Sequence, residues 1–143
     1  MDRVTIKLSK LEIAKIQLNR AIILFLSGED YVSAITLAGA SEEILGKLLK
    51  NTGLTNSLED LVEESQEYQV KEHGEASNKK DIVSLANYYR DRLKHINDGK
   101  DLLFSVDYEA AYLIDRAISN YFKITGDETR EMISFRELDY FGE

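Results

Sequence analysis

The 143-residue chain contains no cysteine, no proline and no tryptophan. Without cysteine it can form neither a disulfide nor a thiolate metal site, and this fits a reducing, cytoplasmic setting. Without proline, no helix is interrupted by a residue that lacks a backbone donor and clashes with the preceding turn. The two absences together favour long helices in a cytoplasmic protein.

Long apolar runs are also missing. No segment approaches the roughly 20 apolar residues that a helix needs to cross a bilayer. The first ten residues lack the apolar centre of a signal peptide. We therefore expect a water-soluble protein with no membrane partner.

The charge balance restricts the possible partners. The formal net charge of −8 repels nucleic acid at long range, so an RNA-binding surface would have to be a local basic patch. Hydrophobic residues make up 43% of the chain, which is enough to fill one core. We expect a single domain over residues 1–143.

Several sequence motifs of catalytic and metal sites are absent as well. There is no glycine-rich phosphate loop after a strand, no H-E-x-x-H zinc pair and no G-x-S-x-G nucleophile turn. The chain has only two histidines, His73 and His95. We therefore expect no bound metal and no cofactor, and we interpret His73 as a solvated loop residue.

Apolar residues recur at spacings of three and four along most of the chain, which is the pattern of amphipathic helices. The predicted helices span about residues 10–27, 31–50, 58–71, 79–97 and 106–124, with a weaker one at 128–138. They predict an all-α fold, a single-domain antiparallel bundle of five to six helices. Its core should lie in about residues 10–124, followed by a short C-terminal helix and tail.

The first predicted helix has more apolar surface than one core needs. Besides its main apolar arc, a second stripe carries Ile13, Ile16, Ile23 and Leu24. Two explanations remain open: the stripe is covered by a terminal segment of the same chain, or it is covered by a partner chain.

The second predicted helix has a centre of small residues. Gly39 and Gly46 each cost roughly 1 kcal/mol against alanine in a helix, so they indicate the close approach of another helix. Glu42 lies at the edge of the buried arc, where an ionised carboxylate needs a partner. Its neighbour Glu43 should point to solvent.

Residues 87–95, N-Y-Y-R-D-R-L-K-H, concentrate most of the groups that could do chemistry. On a helix, Asn87, Asp91 and His95 form one stripe at spacings of four, with Arg90 and Lys94 along its flank. The opposite face should pack on the core through Ile82, Leu85, Ala86, Tyr89, Leu93 and Ile96.

The segment R-D-R-L-K-H, residues 90–95, resembles the signature of the HEPN superfamily (higher eukaryotes and prokaryotes nucleotide-binding), in which an arginine and a polar residue precede a histidine. Residues 30–50 are similar to the early helix of many bacterial members. The resemblance implies a small helical bundle with metal-independent endoribonuclease activity, commonly in toxin–antitoxin or phage-defence systems. It also implies a homodimer whose motif helices form one active cleft, an RNA substrate and an antitoxin partner.

Carried over by position, the resemblance makes Arg90, Asp91 and His95 the catalytic residues. A histidine can transfer a proton at neutral pH, and an arginine can stabilise the charge on a pentacoordinate phosphate. Asp91 would orient the imidazole, and the product would carry a 2′,3′-cyclic phosphate. The supporting or RNA-binding residues would be Asn87, Lys94, Arg92 and Glu42.

Other interpretations use the same residues. Arg90 would be held by an ion pair with Glu42, and His95 would be an ordinary exposed helix residue. Family members often have asparagine where this chain has Asp91, and the extra negative charge opposes an approaching phosphate. The alternative function is therefore a non-catalytic HEPN-like module that binds proteins or nucleotides. For the ribonuclease, we expect the homodimer face to bear Asn87, Asp91 and His95.

Overall fold

The structure is a computed structural model that describes residues 1–95 and 98–142. Within these residues it contains seven α-helices and no strand, which confirms the all-α prediction. The helices are α1 (Lys10–Ser27), α2 (Tyr31–Lys50), α3 (Ser57–His73), α4 (Lys79–Ala86), α5 (Tyr88–Lys94), α6 (Val106–Thr125) and α7 (Arg130–Glu137). None of the helices described is both long and apolar enough to pass through a membrane.

Local capping sets the limits of the first two helices. Ser9 and Glu12 form a reciprocal capping box at the start of α1. Gly28 ends α1 in the left-handed conformation, with φ of 69°, which glycine adopts without steric cost. Asp30 then caps α2 by accepting a hydrogen bond from the Ser33 amide at 2.9 Å. A very short connection therefore joins α1 to α2.

The centre of the bundle is formed by α2 and α6, with α1 packed against both. Their facing surfaces hold small and branched residues without exposed area, which lets the helices approach closely. Fully buried examples include Leu18 and Ile22 of α1, Ala34, Ile35 and Ala38 of α2, and Ala110, Ile114 and Ala117 of α6. α6 is therefore a central helix of the bundle.

The core extends past the predicted limit at residue 124. Met132 and Phe135 of α7 are 0% and 3% exposed and belong to the main apolar cluster. The rings of Phe135 and Phe25 meet edge to face, with centroids 5.5 Å apart. Thr129, which caps α7, also donates a hydrogen bond to Asn19 of α1 at 2.8 Å. The last helix therefore covers α1 instead of forming an accessory tail.

Some large apolar residues lie on the surface. Leu85, which was predicted to face the core, is 78% exposed, and Tyr68 and Phe122 are 62% and 51% exposed. The periodicity of a helix shows which residues share a face, but it does not show how far along that face a neighbour extends. Tyr68 lies in the second half of α3, whose only buried residue is Val62.

The second apolar stripe of α1 is divided. Leu24 is buried, whereas Ile16 and Ile23 are 53% and 43% exposed. The N-terminal segment contains exposed residues of its own, Val4 and Ile6, and has no regular secondary structure. A partner chain over Ile16 and Ile23 remains a prediction.

We expect Phe135→Ala to lower the free energy of unfolding by about 3–5 kcal/mol, because it leaves a cavity where α7 meets α1. Ile133→Ala on the same helix is the matched control, since Ile133 is 40% exposed and should cost much less. Urea unfolding monitored by circular dichroism measures both values. Equal losses would mean that α7 does not contribute to the core.

The tail is held by a hydrogen bond that should make stability depend on pH. Tyr140 donates to Asp107 at 2.6 Å, which raises the pKa of Tyr140 to about 12 and lowers the pKa of Asp107. Stabilisation from the aspartate is present above its ordinary pKa of 3.8 and is lost as the pH falls through its lowered folded value. The stability difference between wild type and Tyr140→Phe should therefore shrink below pH 3.8. Urea unfolding across this pH range measures it, and a constant difference would contradict the prediction.

Candidate functional site

The predicted helix over residues 79–97 is broken at Asn87. This residue has φ of −105° and ψ of 9° and separates α4 from α5. Its side chain turns inward, where Oδ1 accepts a hydrogen bond from Arg116 Nη2 at 3.2 Å. Arg116 Nη1 also donates to the Ala86 carbonyl at 3.4 Å. The Arg116 guanidinium thus binds the chain at the break.

Asn87 therefore does not share an exposed stripe with Asp91 and His95. It is 5% exposed, so its predicted place on an exposed face with Asp91 and His95 is wrong. The physical reason is that a buried arginine needs acceptors, and the Asn87 amide oxygen supplies one. The predicted end of the helix near Asn97 lies outside the described residues, as does the predicted core position Ile96.

Glu42 is the centre of a buried charge network. Its carboxylate is 2.9 Å from Arg116 Nη2 and 3.5 Å from Arg90 Nη1. Glu42 and Arg116 are only 3% and 4% exposed, so each charge depends on the other for compensation. The expected partner Arg90 is present, but the nearer and more buried partner is Arg116.

Arg90 is fixed from two directions. Besides its contact with Glu42, its Nε and Nη2 atoms both donate to Asp91 Oδ1 at 3.2 Å. Its aliphatic part lies on α2, where a Cβ on Gly39 would be 2.5 Å from Arg90 Cδ. The small centre of α2 thus receives an arginine side chain. At Gly46 the approaching group is likewise a side chain, that of Asn56.

Sequence reasoning missed Arg116 and Asn120. Asn120 has no exposed surface; it donates to the Glu42 carbonyl at 3.4 Å and accepts from the Ser57 amide at 2.7 Å. Both residues lie among the apolar positions of α6. A strongly polar residue inside an apolar arc needs a buried partner. The positions of these two residues in the apolar arc can be recognised from the sequence alone.

The remaining motif residues differ in their surroundings. Lys94 and His95 are exposed, and His95 has extended backbone angles just after the last turn of α5. Asp91 is half-exposed while it accepts from Arg90. The Arg92 guanidinium lies over the Tyr88 ring, 4.4 Å from its centroid, so Arg92 is engaged in a cation–π contact.

A cleft of about 310 Å³ separates α2 from α5 beside these residues. It is lined by Thr36, Gly39, Ala40, Glu43, Ile44, Lys47, Arg90 and Lys94. Since Arg90 is paired with Glu42 and Asp91, the excess positive charge of this lining comes from Lys47 and Lys94 against Glu43, in contrast to the negative chain as a whole. We call it the basic cleft, and it is a local patch of the kind that an anionic ligand requires.

The second histidine lies away from the basic cleft. His73 is exposed, as predicted, but it is the last residue of α3 and not a loop residue. It lines another surface depression with Tyr68 and Gln69. Among residues 1–95 and 98–142, no cluster of three histidine or acidic side chains is arranged to hold a metal ion. Comparison of the chain with protein-family models, curated proteins and solved structures finds no match.

Glu42→Gln is expected to destabilise the protein by about 3–5 kcal/mol, because it leaves the buried Arg116 charge without its counter-charge. Glu43→Gln is the matched control. Glu43 is exposed and pairs with Lys47 at 3.3 Å, so Glu43→Gln should change the free energy of unfolding by no more than about 0.5 kcal/mol. Urea unfolding at neutral pH measures both, and equal effects would show that Arg116 does not depend on Glu42.

Proposed function

We propose that this chain is a metal-independent endoribonuclease of the HEPN type that acts as a homodimer. The observation that carries the proposal is the arrangement of Arg90 and His95 at α5. Arg90 is fixed by two carboxylates beside the basic cleft, and His95 is exposed just past the end of the same helix. Arginine, aspartate and histidine are the residues on which the family resemblance rests.

The chemistry explains why two chains are needed. Attack by a ribose 2′-hydroxyl on the adjacent phosphorus requires a base for the hydroxyl proton and an acid for the leaving 5′-oxygen. Each chain supplies one exposed histidine at this end of α5, since His73 lines a different depression. Two His95 side chains from two protomers would supply both proton transfers, leaving a 2′,3′-cyclic phosphate.

The charges around Arg90 define its role. Arg90 and Arg116 are balanced by Glu42 and Asp91, so these four residues contribute no net charge at neutral pH. The attraction for phosphate comes instead from Lys47 and Lys94, partly opposed by Glu43. Because its side chain is already ordered, Arg90 would donate hydrogen bonds to a phosphate without losing further rotamer freedom.

The dimer face in this proposal differs from the one predicted from the sequence, because it no longer includes Asn87. Asn87 is inside the protomer, so the face would consist of Asp91, Lys94 and His95 at the end of α5. An antitoxin partner, and a role in a bacterial toxin–antitoxin or defence system in the cytoplasm, belong to the same proposal and rest on the family resemblance.

The second candidate function is a non-catalytic helical interaction or nucleotide-binding module. One observation favours it: three nitrogens of Arg90 lie within 3.5 Å of a carboxylate, so the arginine of the motif has a structural role that needs no substrate. In this case the basic cleft would bind a mononucleotide or a protein carboxylate and leave RNA intact.

The test is cleavage of a mixed RNA substrate in excess chelator. We expect wild type to leave 2′,3′-cyclic phosphate ends, and His95→Ala to lose activity by at least about 100-fold, as expected for removal of a general acid or base. His73→Ala is the matched control and should retain activity, because it removes the other exposed histidine. Light scattering on the same samples should give a dimer mass.

Three results would count against the enzyme. Equal cleavage by all variants would identify a contaminating nuclease, and a monomer that cleaves RNA would rule out the shared cleft. A folded dimer without activity, but with a mononucleotide bound at the basic cleft, would assign the second candidate function.

A further inference from the structure

A second and larger cleft, of about 680 Å³, lies among α3, α4, α5 and α6. Its lining residues are mainly aromatic and apolar: Leu61, Ser65, Ile82, Leu85, Ala86, Tyr88, Tyr89, Tyr108, Glu109 and Tyr112. We call it the tyrosine cleft. Its volume lies within the roughly 300–1,000 Å³ that is usual for small-molecule sites, and it shares no lining residue with the basic cleft.

Among the lining residues that the structure describes, Glu109 is the only one with a carboxyl side chain. It is partly buried, and burial raises the pKa of its carboxyl while the nearby Arg116 charge opposes the rise. Arg116 does not pair with it, since that guanidinium is bound to Glu42. Among the described residues, the Glu109 carboxyl forms no hydrogen bond and no ion pair. A cation in the cleft would give this carboxylate a direct partner in addition to the more distant Arg116 charge.

The four tyrosines provide a second source of attraction for positive charge. Tyr88 and Tyr89 meet edge to face at 5.0 Å, while Tyr108 and Tyr112 are nearly parallel at 6.4 Å. Aromatic faces carry negative partial charge and attract cations within about 6 Å of the ring centroid. The Arg92 guanidinium over Tyr88 shows that a ring of this cleft already accepts a cation on one face.

The tyrosine hydroxyls remain available as well. In residues 1–95 and 98–142, none of the four phenol groups makes a hydrogen bond to protein. Phe141 of the tail packs edge to face on Tyr108 at 5.8 Å and supports the outer wall. The cleft therefore combines a supported aromatic wall, free polar atoms and one carboxylate, without a lysine or arginine in its lining.

We propose that the tyrosine cleft binds a small organic cation of the alkylammonium class, with the ammonium group between the tyrosine rings and the Glu109 carboxylate. Negative ring faces and a carboxylate select for positive charge, and the apolar lining from α3 and α4 accommodates alkyl groups. This site is independent of the ribonuclease proposal, because it uses neither His95 nor the basic cleft.

The test compares choline with 3,3-dimethylbutan-1-ol, a neutral compound in which carbon replaces the ammonium nitrogen. Calorimetric titration of the full chain should show saturable choline binding that is at least about tenfold tighter than binding of the neutral compound. Amide chemical shifts should move at Tyr88, Tyr108 and Glu109, and not at Lys47 of the basic cleft. Equal affinity for the two compounds, or no saturable choline binding, would overturn the proposal.

Two variants test the residues. Glu109→Gln and Tyr108→Leu should each weaken choline binding by about tenfold or more, whereas Glu43→Gln, on α2, should bind like wild type. Glu109→Gln should be at least as stable as wild type, because burial disfavours the carboxylate that it removes. Loss of choline binding by Glu109→Gln without loss of stability would therefore show that Glu109 takes part in binding. Unchanged choline affinity in both variants would overturn the proposed site.

Sedimentation with phosphatidylcholine vesicles distinguishes the source of the cation. If the protein binds choline but does not sediment with the vesicles, the ligand is a free soluble cation. If the protein sediments with the vesicles and added choline releases it, the ligand is the ammonium group of a lipid headgroup. Sedimentation that Glu109→Gln does not change would contradict a role for this cleft in binding the headgroup.

Discussion

The ion pair between Glu42 and Arg116 is the interaction on which the central part of the bundle depends. It joins the two central helices, α2 and α6, at a point with almost no solvent. Removal of two charges from water offsets much of their attraction, so such a pair adds little net stability. Its loss is nevertheless costly, because any arrangement that separates the two residues leaves a buried charge unpaired. Apolar side chains at these positions would tolerate sliding of one helix along the other.

The same pair determines the position of α5. Arg116 binds the chain at Asn87, where α4 ends, and Glu42 holds Arg90 one turn further on. A seven-residue helix is too short to be stable alone in water, so α5 depends on these tertiary contacts. Both clefts include residues of this short helix: Arg90 and Lys94 in one, Tyr88 and Tyr89 in the other. A single buried network therefore orients groups on two different surfaces.

The sequence was sufficient for the long helices. The limits of α1, α2 and α6 agree with the prediction to about one residue, because long amphipathic patterns and capping residues are local signals. The buried position of Glu42 and its contact with Arg90 also followed from the pattern. The break at Asn87 did not, because its cause is Arg116, a residue 29 positions away. The buried face of α7 was underestimated because an eight-residue helix has too few turns to show a clear period.

The packing of α7 on α1 has a consequence for synthesis on the ribosome. Phe25 is covered by Phe135 and by Tyr140, which follow it in the chain by more than one hundred positions. The pairing of α1 with α2 is local and can form early. The side of α1 that bears Phe25 stays uncovered until α7 leaves the ribosome. At 5–20 residues per second, that interval is on the order of ten seconds. The nascent chain thus exposes an aromatic apolar surface during this interval, and this part of the core closes late because its contacts are distant in sequence.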